Sequence, residues 1–382
     1  MSPLVSAVLD VLAGRPLPEE VAGSGDFWRL LHLHGRAGLA VAEGRGGGGG
    51  TPGLERRLPH EAVTTYRFQG IETTLVLESG RRALLALGSA GIPALPFKGL
   101  ALFQAGVYSD PGARIMEDAD VLVPPGRVPD AIAALQDAGF RPWSPWEPGR
   151  LRWLSSFSLE DVQAPGGVAP ALDLHWATPY ARLRLAGPWP TDPLWEGADG
   201  GVPTAEAHFA VIAEHVLKHL RVIAHLRGVA DLVRLTPLLE DGEALVRQAR
   251  RRGSLPGLRT VLAFLDDFLG VRPCPEVLQA VAPGAGARKA ARKHLDPVLL
   301  VDPQGPPGGV QAVLGAWGLI GTSWASLREW VRVALPSGAW LQARYPSTPW
   351  HRRRLRYGRD VLAWVRGRGR SPLSPNQELD AS

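Results

Sequence analysis

Cysteine is almost absent: Cys274 is the only one in 382 residues. That excludes an internal disulfide framework and any zinc or iron–sulfur site built on several thiolates, and it fits a reducing compartment. Lysine is nearly as scarce. Lys98, Lys218, Lys289 and Lys293 are the only four among 42 basic residues, so the position of each carries more information than usual. Long uninterrupted apolar runs are also missing. Asp10 and Arg15 break up the N-terminal stretch, which lacks the basic-then-apolar order of a secretory signal, and the chain is expected to stay in the cytoplasm. The nearest approach to a membrane span, 310–327, is uncharged but holds Gln311, three glycines and several hydroxyls, and reads better as a buried or interfacial helix.

What is present points to packed domains. Hydrophobic residues make up 45% and charged residues 21%, which excludes disorder as the global state, so the 45 glycines and 35 prolines belong in loops. The length suits two packed units. The formal charge of +5 would invite a nucleic-acid reading if it were spread over the surface, but it is concentrated. Residues 351–370 hold eight arginines (Arg352, Arg353, Arg354, Arg356, Arg359, Arg366, Arg368 and Arg370) against Asp360. Without them the chain has 34 basic and 36 acidic residues, so the body is not a polyanion-binding surface by composition.

Along the chain, 3–44 reads as short helices, and Gly46 to Gly50 with Thr51-Pro52-Gly53 reads as a flexible linker. A long helical pattern runs from His60 to about Ala90 and stops at Gly91. Ala94 to Phe97 then reads as a strand, Lys98-Gly99 as a tight turn and Leu100 to Tyr108 as a helix. Met116 to Val123 is a strand ended by Pro124 and Pro125; Asp130 to Ala138 is a helix. Further strands are expected over 140–143, 156–162 and 171–176, giving a mixed sheet with helices packed on it. Beyond Pro203 the pattern is helical. The expected division is an N-terminal helical segment with its linker (1–59), an α+β core (60–200), a helical domain (201–350) and a basic tail (351–382).

Asp118 and Asp120 stand one residue apart on a predicted strand, so both carboxylates leave the same face, about 7 Å apart along the backbone. Beside Val121-Leu122-Val123, a run that wants burial, two like charges call for a neutralising cation, although a strand entrance decorated with acids is the plainer reading. Aspartate oxygens select a hard ion such as magnesium. Lys98-Gly99 lies between a strand and a helix, where backbone N–H groups and the lysine charge suit a phosphate. Leu172-Asp173-Leu174-His175-Trp176 places a third carboxylate in an apolar strand.

Taken together, Lys98-Gly99, Tyr108-Ser109-Asp110-Pro111-Gly112-Ala113-Arg114, Asp118-Ala119-Asp120-Val121-Leu122-Val123 and Asp173-Leu174-His175-Trp176 resemble the uncharacterised nucleotidyltransferase family, a branch of the DNA polymerase β-like superfamily. His215-Val216-Leu217-Lys218-His219, Leu226, Asp231-Leu232, Pro336 and Ala343-Arg344-Tyr345-Pro346 extend the likeness, which covers about 80–346. The resemblance implies a polymerase β-like nucleotidyltransferase core with a helical C-terminal domain. It also implies transfer of an NMP group from an NTP, with ATP as first candidate, to a hydroxyl of an unknown acceptor. Branch members often sit among exopolysaccharide or peptide natural-product functions, lasso peptides included.

Carried over by position, the resemblance makes Asp118, Asp120 and Asp173 the ligands of two magnesium ions, with manganese an alternative, and Asp173 the nearest candidate base. Lys98, Gly99 and Arg114 would meet the phosphates; Arg114 reads equally well as a structural ion pair. The superfamily's small polar turn residue is missing here, and Glu117 adds a negative charge beside the expected metals. His215, Lys218 and His219 fall at i, i+3 and i+4 on one helical face. Phosphate contact, a zinc pair, and structural histidines bonded to Asp231 or backbone all remain open for them. The arginine-rich tail, interleaved with Trp350, Tyr357 and Trp364, suits RNA, an acidic membrane surface, or a solvated helix face with Trp364 packed inward. A catalytically silent protein that binds nucleotide or a partner is the alternative to the enzyme.

Overall fold

The computed structural model describes residues 3–15, 21, 24–33, 37–44, 59–143, 156–165, 169–178, 192–199, 201–218, 225–295, 341, 342, 345 and 347–365. Three short helices come first: α1 (Pro3–Leu12), α2 (Gly25–Leu33) and α3 (Ala37–Gly44). The 30-residue α4 (His60–Ser89) follows, as its unbroken helical pattern predicts, and the chain leaves it through Gly91 at φ +63°. Its inward face carries Thr73, Val76, Gly80, Ala83 and Leu87, one stripe at three- and four-residue spacing. Gly80 lets the helix lie close on what it covers. A Cβ there would stand 2.9 Å from Leu100 and 3.1 Å from the Cβ of Ala119.

The sheet that α4 covers has five strands: β1 (Leu95–Pro96), β2 (Asp118–Leu122), β3 (Phe140–Pro142), β4 (Ser156–Asp161) and β5 (Ala171–His175), in the spatial order β1-β2-β5-β4-β3. Only the β2–β5 pair is parallel, so the sheet is mixed, as expected. Helix α5 (Lys98–Gln104) connects β1 towards β2, and α6 (Val128–Asp137) connects β2 to β3. The period-2 pattern decides the two faces. Ala119, Val121, Phe157, Leu159, Leu172 and Leu174 pack with Val76, Ala83 and Leu87 of α4 and Ile132 and Leu135 of α6 in one core. Asp118, Asp120, Asp173 and Ser158 therefore fall on the opposite face. A two-stranded ribbon, β6 (Ala198–Asp199) with β7 (Val202–Pro203), leads into the helical part.

From 205 onward the described chain is helical: α7 (Ala205–Lys218), α8 (His225–Leu235), α9 (Gly242–Arg252), α10 (Leu255–Phe264), α11 (Pro275–Val281) and α12 (Ala285–His294), with α13 (Trp350–Val365) near the end. Helix α7 reaches the sheet through Ala207 and Val211, which pack with Leu95, Phe97 and Leu122. The N-terminal helices join the same helical layer: Val8, Leu12, Phe27 and Leu31 share a core with Phe209, Leu232 and Leu262. The early helices therefore cap the C-terminal ones, although the whole α+β core separates them in sequence. Among the described residues no helix is long and apolar enough to cross a membrane. The stretch 310–327 lies outside them.

Candidate active site

Strand register builds the acidic cluster. In the parallel β2–β5 pair Asp120 stands opposite Asp173, Asp118 opposite Ala171 and Leu122 opposite His175. In the antiparallel β4–β5 pair Ser158 stands opposite Asp173. Because neighbours in register share a face, Asp120, Asp173 and Ser158 form a row across three strands, flanked by Asp118 and His175. One potential ligand atom each from Asp120, Asp173 and His175 fall within 4.8 Å of one another, a spacing that suits a metal ion. This is the candidate metal group found among the described residues.

Each side chain of the row is held. Ser158 Oγ donates to Asp173 Oδ1 at 2.6 Å. His175 Nε2 lies 3.0 Å from Asp120 Oδ1. An ionised carboxylate can only accept, so Nε2 carries the proton in that contact and would have to lose it to ligate a metal. The same Oδ1 takes the Nζ of Lys98 at 2.6 Å. Burial on its own would raise the Asp120 carboxyl, but the Lys98 charge and the His175 hydrogen bond outweigh it and hold Asp120 well below the usual carboxylate range. For Lys98, burial opposes the charge, and Asp120, Asp118 and Asp173 more than compensate, so its ammonium is held above its ordinary value.

Asp118 has no such partner. It keeps some surface open to solvent yet sits deep in the site, and burial with the neighbouring charge of Asp120 pushes its carboxyl up to about 7. Two adjacent carboxylates and one lysine leave the site short of positive charge at neutral pH. The donor set fits a divalent cation: carboxylate oxygens suit magnesium or manganese, and an imidazole within reach is tolerated by manganese and later first-row metals.

Lys98 reaches Asp120 because β1 pairs with β2. Phe97 N–H donates to Asp120 O at 3.2 Å, which sets the next residue beside that aspartate. Lys98 takes φ +50°, a left-handed conformation that costs a residue with a side chain on the order of 1 kcal/mol. Gly99 then passes so close to Arg114 that a Cβ would stand 2.3 Å from Nη1. The glycine is required by that approach.

The remaining expected residues fall as follows. Arg114 lies under the turn and is bound to Asp231 of α8 by two hydrogen bonds of 2.8 Å, both partners buried. Tyr108 donates to Asp231 Oδ1 at 2.9 Å and Thr73 to the Arg114 carbonyl at 3.1 Å. Of the two readings for Arg114, the structural ion pair is the one its contacts match. Glu117 is exposed and turned towards Arg227, 3.3 Å away, so its charge leaves the cluster. His215 is half-buried on α7; the side chain of Lys218 and the whole of His219 lie outside the described residues. The histidine that joins the acids is His175. Its signal was its place two residues after Asp173 on the same strand, hence on the same face. His208 is a structural histidine. It is buried, bonded to the Lys98 backbone, and burial lowers its imidazole to about 4, so it stays neutral under the turn.

A family model described as "Uncharacterised nucleotidyltransferase" matches residues 25–270. The chain belongs to that family. No curated protein and no solved structure matches it significantly. Membership supports transferase activity on a nucleotide at a general level, and the matched span contains every side chain of the cluster, the turn at Lys98-Gly99 and the Arg114–Asp231 pair.

Proposed function

We propose that this nucleotidyltransferase moves an NMP group from an NTP, with ATP the first candidate, to a hydroxyl of an acceptor, in polysaccharide or peptide natural-product biosynthesis. The observation that supports this best is the register that sets Asp120 opposite Asp173 with Asp118 on the same face. In this reading Asp118, Asp120 and Asp173 would hold two magnesium ions, or manganese, whose charge would serve the triphosphate and acidify the attacking hydroxyl. Asp173, its rotamer fixed by Ser158, takes the hydroxyl proton. The acceptor oxygen bonds to the α-phosphorus as the bond to the bridging oxygen breaks, and pyrophosphate leaves. His175 keeps Asp120 oriented through Oδ1. Lys98, now on Asp120, is the cation that would turn to the phosphates, next to the Gly99 backbone. Arg114 supports that turn from below, and His215, Lys218 and His219 are the further candidates for contact with the phosphates.

The contact between Lys98 and Asp120 also favours a second reading, a silent protein whose own ammonium satisfies the acid in place of a metal. Pyrophosphate release measured with each NTP in magnesium separates the two. Asp120→Asn and Asp173→Asn should each lower release by at least about 100-fold with an unchanged circular dichroism spectrum. Turnover like that of the parent in either variant would refute the enzyme, and nucleotide binding by calorimetry without release in the parent would favour the silent form.

A further inference from the structure

A phosphate chain is best gripped by a guanidinium, and Arg114, the arginine expected for that place, is buried and bound to Asp231 by two short hydrogen bonds. A different arginine stands at the acids. Arg227, in the first turn of α8, reaches the residues that lead into β2. Its Nη1 donates to the Ile115 carbonyl at 3.4 Å and its Nη2 to Glu117 Oε1 at 3.3 Å. The next residue is Asp118. Burial and the charge of Asp120 push the Asp118 carboxyl up, and the two cations that pull against them are Lys98 and Arg227. The acid row therefore has one positive charge on Asp120, from Lys98, and a second acting on Asp118, from Arg227.

Arg227 is held differently from the buried arginines. Arg114 and Arg252 meet carboxylates that are themselves buried, at 2.8 Å and 3.0 Å. Glu117, by contrast, is 70% exposed and is met through one nitrogen at the long end of the hydrogen-bond range, and an ion pair of that kind contributes little. The Arg227 side chain is nevertheless mostly covered, with 20% exposed. A guanidinium that is largely withdrawn from water, and most of whose N–H groups meet no acceptor among the described residues, is short of anionic oxygens. We propose that Arg227 binds a phosphate group of the nucleotide, exchanging Glu117 for it. The proposal rests on the reading of the acids as a nucleotide site and names the guanidinium that this reading lacks. Glu117 then acts as a competitor: it holds Arg227 in the empty site, and its own charge opposes an incoming phosphate.

The test is calorimetric titration of the full chain with inorganic tripolyphosphate in magnesium and, separately, with manganese alone. Arg227→Gln should weaken tripolyphosphate binding about 10- to 100-fold, the range of a lost hydrogen bond to a charged group. Arg227→Lys, which keeps the charge and loses the fork, should weaken it less. Manganese should bind Arg227→Gln no more weakly than the parent, because the change removes a positive charge that acts on Asp118. Glu117→Gln, at an exposed position that leaves the fold intact, should tighten tripolyphosphate by about threefold or more. Tripolyphosphate bound as tightly by Arg227→Gln as by the parent, a lysine variant as weak as the glutamine one, no gain in Glu117→Gln, or manganese weakened in step with tripolyphosphate would each overturn the proposal and leave the nucleotide reading in place. A parent that binds no tripolyphosphate would overturn both together.

Discussion

At the scale of single residues, the site is decided by what satisfies Asp120. Its Oδ1 receives both Lys98 and His175, so a cation that is to use this oxygen has to displace the lysine. Lys98→Met should therefore raise the affinity of the metal-free protein for manganese about tenfold, close to 1.4 kcal/mol, while lowering turnover. Calorimetric titration reads the first effect without any need for activity, and an unchanged or weaker affinity would show that the ammonium and the metal do not compete. The acids themselves were legible in the sequence because alternation puts Asp118 and Asp120 on one face of any strand. The lysine contact was not, since it needs the antiparallel closure of β1 on β2, a pairing of two residues that no pattern specifies. His175 could have been read from its spacing to Asp173, but an isolated histidine beside a tryptophan looks like core.

At the scale of elements, the long helix α4 lies close on the sheet it covers. Its contact with β2 passes through Gly80, and Gly88 on the same helix faces open space. Two substitutions should then differ in sign. Gly80→Val puts branches into Leu100 and Ala119 and should cost about 2 kcal/mol of stability. Gly88→Ala meets nothing and should gain up to about 1 kcal/mol from helix propensity. Chemical denaturation of the two variants checks both, and equal effects would mean that the close approach at Gly80 is unimportant. Strand boundaries shifted by at most two residues from expectation, β2 beginning at Asp118 and β4 and β5 ending at Asp161 and His175. What the pattern could not supply was strand order. Hydrophobic alternation says which face is buried, but not that β5 lies between β2 and β4, and that order is what carries Asp173 to Asp120.

At the scale of the whole molecule, two buried charge networks tie the sheet to the helical layer. Arg114 of the core meets Asp231 of α8, joining two motifs that the family resemblance quoted from distant parts of the chain. Breaking such a buried pair by removing one partner typically costs about 3–5 kcal/mol, so loss of function on changing Arg114 is expected through folding as much as chemistry. In the second network Arg252, fully buried, faces Asp192 at 3.0 Å and Glu214 at 3.4 Å. One guanidinium balances one carboxylate. Burial accordingly pushes Glu214 up to about 7, against the pull of Arg252. Because that value lies above the one in the unfolded chain, the contribution to stability is full below the ordinary glutamate range and is lost as pH rises through about 7. Between pH 5 and pH 8 the parent should lose on the order of 3 kcal/mol from this group, and Glu214→Gln should remove that part of the slope. Urea denaturation across the range measures it; identical slopes would place the ionised glutamate in the native state throughout.

The sequence by itself determined the acids, their shared face, the long covering helix and the change from mixed sheet to helices near 200, because each of these follows from a local period or from a residue's own chemistry. It also placed the excess charge in one short segment, since charge is counted without coordinates. Only the tertiary structure decided that Lys98 closes on Asp120, that His175 joins the acids, that Arg114 is committed to Asp231, and that the first helices share a core with those of 205–295. Those are contacts between residues tens to hundreds of positions apart. Their energy comes from burying groups together, and no pattern along a single segment records which distant segment will do the burying.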